Sequence, residues 1–339
     1  MAAGTALPRL GALWQERIDS LREYEVVRDG NMAGASLFGS SLVSSEHAEA
    51  RRMLSTLLEQ KEGCALEELF PGSVVANDAG SAFVIRSRQP LEQVPIDTER
   101  YVGALAHDLT LVHGIGQATA RRLNARGYAT LQDLARHPRF RLPAARVIRT
   151  IRTCIPSEVM DLAGSRHSRS HPLVLGAAGF HEPEDFCFLD IETLGLFSRP
   201  IILVGVGTLE GRHLSISQYL LRSIDEEPAA LLESVSHLSG DRPALVTYNG
   251  KSFDLPYLQD RLSYYGLGAV SSIPHFDLLH FTRSWWRDRY PSLRLSALEK
   301  AVFGIDRKGD VPGQMVPEFY ETYLRTGNCG PLVPIVEHN

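Results

Sequence analysis

Cysteine is scarce. There are four in 339 residues (Cys64, Cys154, Cys187 and Cys329), and no two stand at a CxxC spacing. That argues against a zinc ribbon and a disulfide scaffold, and it predicts reduced thiols in a reducing compartment. Long apolar runs are missing too. The N-terminal MAAGTALPRLGALWQERIDSL has no uninterrupted hydrophobic core, so no secretory signal is expected. The most apolar stretches, such as Ile201–Gly207, fall far short of the ~20 residues that a spanning helix needs. These absences predict a cytoplasmic protein with no membrane partner. Bulk positive charge is lacking as well: the net charge is −5, so any nucleic-acid surface must be local.

What is present suits a soluble globular chain of about two domains, with 44% hydrophobic and 22% charged residues. Leu10, Leu13, Ile18 and Leu21 predict a first helix. Residues 45–60 predict a second, with Ser44 or Ser45 as N-cap. In GSVVANDAGSAFVIRSRQ (72–89), two apolar runs flank Asn77-Asp78-Ala79-Gly80, a hairpin signal. These helices and the hairpin make up an expected separate N-terminal region, residues 1–100, from which no role follows. The stretch LTLVHGIGQATARRLNARGYATLQDLARHPRF (109–140) reads as helix, glycine turn, helix, turn, helix, with a capping box at Thr130 and Asp133. Between Arg121 and Arg152 nine arginines (121, 122, 126, 136, 139, 141, 146, 149 and 152) face a single acid, Asp133. The Ser/Arg/His-rich AGSRHSRSHP (163–172) opens an expected linker over 163–182.

Beyond it the pattern turns to strands: Phe186–Asp190, Ile201–Thr208 and His213–Leu220. A helix (226–238), a strand (243–249) and a helix (253–265) follow, and the remainder reads as mostly helical. This order predicts an α/β fold, a mixed sheet with helices packed against it. The first strand ends in FCFLDIETLG. Alternation along a strand puts Asp190 and Glu192 on one face, where like charges disfavour ionisation unless a cation lies between them. The later strand runs into YNGKSFD (248–254). It delivers Asn249 and places Asp254 in the first turn of the next helix, where an acid suits the helix dipole. Acids converging at strand ends and a helix start favour Mg²⁺ or Mn²⁺.

FLDIET with YNGKSFD resembles motifs one and two of the DEDD exonucleases of the RNase H-like superfamily. HFDLLHFTRSWW (275–286), LSALEKAVFGIDRKGDVPGQMVPEFYETYLRTGN (295–328) and VPIVEHN (333–339) extend the likeness to a YprB-like RNase H-like exonuclease domain over 183–339. The resemblance implies a 3′–5′ exonuclease with two Mg²⁺ or Mn²⁺ ions per site, held by Asp190, Glu192 and Asp254. Asn249, Lys251 and Thr193 would lie on the substrate side. The family's third motif sets a general-base histidine four residues before a fourth ligand aspartate. His338 takes the histidine's place and Asn339 ends the chain, so the domain is expected to be C-terminally incomplete. A weakly catalytic or inactive nucleic-acid-binding protein is the alternative. Asp277, Asp310, Glu318 and Glu337 are the acids available to replace the fourth ligand, and an ordinary capping or surface role is favoured for each.

VHGIGQATARRL (112–123) resembles a helix-hairpin-helix through Gly114, Ile115, Gly116 and Ala120. Its glycines let the backbone approach a phosphate, and free amides at the next helix bind the anion without reading sequence. With Arg121 and Arg122, this implies a nucleic-acid-binding region at 101–162, with DNA expected in preference to RNA. Arg283 and Arg287 share one helix face beside Trp285 and Trp286, and they are further candidates for phosphate contact and base stacking.

Overall fold

The computed structural model describes residues 38–92, 97–195, 198–305 and 311–339. The helix expected at Leu10–Leu21 lies outside them, as does Asp310. Helix α1 (Phe38–Gln60) starts before the expected cap, so Ser44 and Ser45 lie inside it. After α2 (Leu66–Leu69) come β1 (Gly72–Asn77) and β2 (Gly80–Pro90). Their turn forms as the sequence predicts. Asn77 accepts the amide of Ala79 at 2.9 Å, and Gly80 takes φ +131°, a conformation that favours glycine.

A helical stretch follows: α3 (Thr98–His107), α4 (Gln117–Asn124), α5 (Leu131–Leu134), α6 (Arg141–Thr153), α7 (Pro156–Gly164) and α8 (Pro172–Leu175). The capping box is present: Asp133 donates its amide to Thr130 Oγ1 at 3.1 Å and accepts the amide of Thr130 at 2.9 Å. Then come β3 (Phe186–Thr193), β4 (Ile201–Glu210), β5 (His213–Leu220), α9 (Glu227–Ser236), β6 (Ala244–Thr247), α10 (Asp254–Tyr264), β7 (His275–Asp277), α11 (Leu278–Trp286), α12 (Leu295–Leu298), α13 (Val316–Thr326) and α14 (Leu332–His338).

All seven strands join one sheet in the order β1-β2-β5-β4-β3-β6-β7. The pairs β1–β2, β2–β5, β5–β4 and β4–β3 are antiparallel. The pairs β3–β6 and β6–β7 are parallel. Two expectations are corrected here. The hairpin does not stay with a separate N-terminal unit. It continues the sheet beyond β5, with Phe83 opposite Leu220 and Pro90 opposite His213. Its Ala82, Phe83 and Val84 share one core with β3, β4, β5 and α14.

Residues 163–182 are also not a linker. Their polar opening is a turn, but Ala163, Leu173, Val174, Ala177 and Phe180 then fill a second core built by α3 to α8. Tyr101 donates its hydroxyl to the Leu173 carbonyl at 2.6 Å, which pins the segment. This core closes against Ala244, Val246 and Phe276 of β6 and β7. The helical region is therefore docked on the same sheet that carries the acids.

Candidate active site

Along β3, Cys187, Leu189 and Ile191 are buried while Phe188 and Asp190 are exposed and Glu192 is half-buried. The period of two thus sets both acids on one face, at the end of a central strand. The ladder to β4 shifts register between Glu192 and Thr193. A shift of this kind re-aims side chains at a strand end. Thr193 donates its hydroxyl to the Gly195 carbonyl at 3.0 Å and holds the exit loop.

Asp254 opens α10 and is 5% exposed. Its Oδ1 accepts the amide of Ile191, the residue between the two acids, at 3.2 Å. The third carboxylate is thus tied to the strand that carries the other two. Burial pushes its pKa well above the carboxylate range, and the negative charges of Asp190 and Asp277 push the same way.

The C-terminal helix reaches the same place. His338 Nε2 lies 3.8 Å from Glu192 Oε1, and Asn339 donates from Nδ2 to Asp190 Oδ2 at 2.9 Å. Gln218 on β5 donates to the Val336 carbonyl at 2.8 Å and holds the end of α14. Gly205, opposite Asp190 on β4, makes the approach possible, because a Cβ there would stand 2.1 Å from Asn339 Oδ1. A glycine between two strand valines marks such a close approach, although the sequence does not say what approaches.

The loop before Asp254 is clamped from below. Asp277, 1% exposed at the end of β7, accepts the amides of Asn249 at 2.8 Å, Lys251 at 3.0 Å and Leu279 at 3.1 Å. It caps α11, the role favoured for it from sequence, and it also sets the loop. Asn249 takes φ +71°, which Asn tolerates better than most residues. Lys251 is half-buried. Burial lowers its pKa, the charge of Arg169 adds to this, and that of Asp277 opposes it. Of the other candidate acids, Glu318 lies in the first turn of α13 and pairs with Arg51 at 3.3 Å, while Glu337 is exposed.

Asp190, Glu192, Asp254 and His338 are therefore brought together, with Thr193 at the rim. Gly114, Gly116, Arg121 and Arg122 stand in the helical region instead. Gly114 takes φ +86°, and Gly116 precedes α4, which no side chain caps. A Cβ at either glycine would meet nothing within 4 Å. All nine arginines from Arg121 to Arg152 are exposed, and none forms a salt bridge among the described residues.

The central five strands, β5-β4-β3-β6-β7, with the acids at the end of β3, can be compared with known families. A family model described as RNase H superfamily aligns with this part of the chain. Residues 187–339 match the RNase H superfamily. The mixed sheet with its flanking helices is RNase H-like, as expected from the sequence. A relative, "Uncharacterized protein YprB" of Bacillus subtilis (strain 168), is 32% identical over 170 residues, which cover 49% of this chain. The match spans 40% of that relative's length.

RNase H-like nucleases generally use divalent metal, and the donor chemistry here suits it: three hard carboxylate oxygens and a His beside them. The crowding of Asp190 against buried Asp254 is what a cation would relieve. As the side chains are placed, no group of three or more His, Cys, Asp or Glu among the described residues could hold an ion. No described helix is long and apolar enough to cross a membrane.

His275 on β7 is 7% exposed, and its Nε2 lies 2.8 Å from Thr247 Oγ1. Burial pushes its pKa down to about 4 from 6.5, with the charge of Lys251 adding to the effect. The folded form thus binds the proton less well than the unfolded chain. Stability is full above pH 6.5 and is lost as pH falls toward 4. This residue alone should cost about 2 kcal/mol at pH 5. Chemical denaturation at pH 7.5 and pH 5.0 checks this, and His275→Gln should flatten the dependence.

Proposed function

We propose that the chain is a metal-dependent nuclease that hydrolyses phosphodiester bonds from a 3′ end. The observation that supports this reading is the hydrogen bond from the amide of Ile191, between Asp190 and Glu192, to buried Asp254, which ties the third carboxylate to the strand that carries the other two. In this reading Asp190, Glu192 and Asp254 hold two Mg²⁺ or Mn²⁺ ions. When bound, such ions neutralise the phosphate and lower the pKa of water. His338, beside Glu192, takes the proton of the attacking water at Nε2. Asn249, set by the Asp277 clamp, and Lys251 face the substrate phosphates. The exposed arginines and the open glycine turn of the helical region hold the nucleic-acid backbone, DNA in preference to RNA, in a salt-dependent manner. A reducing, cytoplasmic setting suits the four free thiols.

A second reading is a strand-binding protein without turnover. The observation favouring it is the Asn339 amide on Asp190, which engages a carboxylate that the first reading assigns to metal.

One assay separates the two. With Mn²⁺ present, a 5′-labelled linear strand should shorten stepwise, a chelator should stop the reaction, and a covalently closed circle should stay intact. Cutting of the circle would replace the exonuclease with an endonuclease. Strand binding that weakens when Arg121 and Arg122 are changed to Ala, with no turnover in Mn²⁺, would select the second reading.

A further inference from the structure

A cavity of about 580 Å³ opens between the turn at 168–170 and α11. Ser168, Arg169 and Ser170 form one wall; His280, Arg283 and Arg287 form the other. The turn belongs to the segment that reads as a linker, and the two walls are more than a hundred residues apart in sequence. Three arginines line it with one acid, Asp288. None of the three arginines forms a salt bridge among the described residues. Arg283 and Arg287 stand one turn apart at the end of the helix, a spacing at which like charges repel. His280 Nε2 is buried without a hydrogen-bond partner. Its pKa is lowered by burial, and the charges of Lys251, Arg169 and Arg283 push the same way, against Asp277.

Guanidinium forks, serine hydroxyls and an unpartnered imidazole nitrogen are the groups that an oxyanion of phosphorus takes. The position says which oxyanion. Asp277 caps the helix that carries His280 and Arg283, and it also accepts the Lys251 amide at 3.0 Å, so the cavity wall is tied to the loop that ends at Asp254. Trp285, 43% exposed on the same helix, offers a surface on which a base can stack. We propose that this cavity is a phosphate subsite, which holds a backbone phosphodiester of the nucleic-acid strand at a nucleotide other than the one being cut. It rests on the nuclease reading for the identity of the strand.

The test needs no catalysis. A fluorescein-labelled single strand of about 20 nucleotides is titrated with the full chain in chelator, by anisotropy, over a range of salt. Changing Arg283 and Arg287 together to Ala should weaken binding about tenfold. The plot of log K against log salt should become shallower by about 0.7, the share of one neutralised phosphate on a single strand. Arg287 is exposed, Arg283 is half-buried, and neither forms a salt bridge among the described residues, so the thermal melting of the variant should stay close to that of the parent. Unchanged affinity and slope would overturn the proposal. So would a response of tryptophan fluorescence to inorganic phosphate, lost in the variant, while strand affinity stays the same; that result assigns the cavity to a free anion. Failure of the nuclease reading shows up separately, as no turnover of the wild-type chain in Mn²⁺, and leaves this binding measurement standing.

Discussion

Asp254→Asn should make the metal-free protein more stable and, on the nuclease reading, phosphodiester cleavage about 10³-fold slower. The two effects have one cause. In the free protein the Asp254 carboxylate is buried against the charge of Asp190, which holds its pKa well above the carboxylate range. A raised acid stabilises the fold most below its unfolded pKa, and that contribution is lost as pH rises through the folded pKa. At pH 8 the ionised side chain is therefore a cost. Asparagine removes the charge and keeps an oxygen for the Ile191 amide. In chelator at pH 8 the variant should melt higher, at about 2–3 °C for each kcal/mol relieved, and the advantage should vanish near pH 4. Mn²⁺ should reverse the order, because binding to the folded state stabilises the parent and not the variant. Loss of a ligand that supplies about 4 kcal/mol of charge stabilisation in the transition state gives the 10³-fold drop in turnover. Thermal melting with and without Mn²⁺, and strand shortening with Mn²⁺, measure both. A variant that melts lower than the parent in chelator at pH 8 would contradict the electrostatic account.

The parts of this site that local pattern encodes were legible. Alternation in FCFLDIET fixed the strand and put both acids on one face, and the start of α10 placed Asp254. Asn77 to Gly80 gave the hairpin, and Thr130 with Asp133 the cap. What local letters do not encode is the partner. Nothing in GSVVANDAGSAFVIRSRQ says that its second strand pairs with β5, because pairing depends on distant residues and burial. His275–Asp277 is too short to show a period, so β7 was missed in a segment read as mostly helical. In 163–182 the polar opening hid the apolar residues that follow. The basic cavity was hidden for the same reason as the hairpin's partner: Arg169 and Arg283 meet only in the fold.

Glu227→Ala should cost about 3–5 kcal/mol and lower activity as well. In the sequence, Glu227 is an acid beside Pro228 in the first turn of a helix. In the fold it is 0% exposed and faces Arg261, 4% exposed, from α10. Glu227 Oε1 accepts from Arg261 Nε at 2.7 Å and from the Ile201 amide at 2.9 Å. Its Oε2 accepts from Arg261 Nη2 at 2.5 Å and from the Tyr265 hydroxyl at 2.8 Å. Burial, with the bond to Glu227, pushes the Tyr265 hydroxyl up to about 12, so it stays a donor. Arg261 also donates to the Ser198 carbonyl at 3.1 Å. Every polar atom of the carboxylate is satisfied, which is the condition under which a buried pair holds. Removing the glutamate strands a guanidinium in the core, and that uncompensated charge is the larger part of the loss. The pair joins the start of β4, the start of α9 and the helix that begins at Asp254. Loosening it should shift Asp254 against β3, and turnover should fall with stability. Urea denaturation of Glu227→Ala, and of the cycle Glu227→Met, Arg261→Met and Glu227→Met/Arg261→Met, decides the matter. If the charge is the cause, the double apolar replacement should recover most of the stability lost by either single change, giving a coupling of more than about 1 kcal/mol. A Glu227→Ala loss within about 0.5 kcal/mol of a surface substitution would show that the pair does not hold α10 in place.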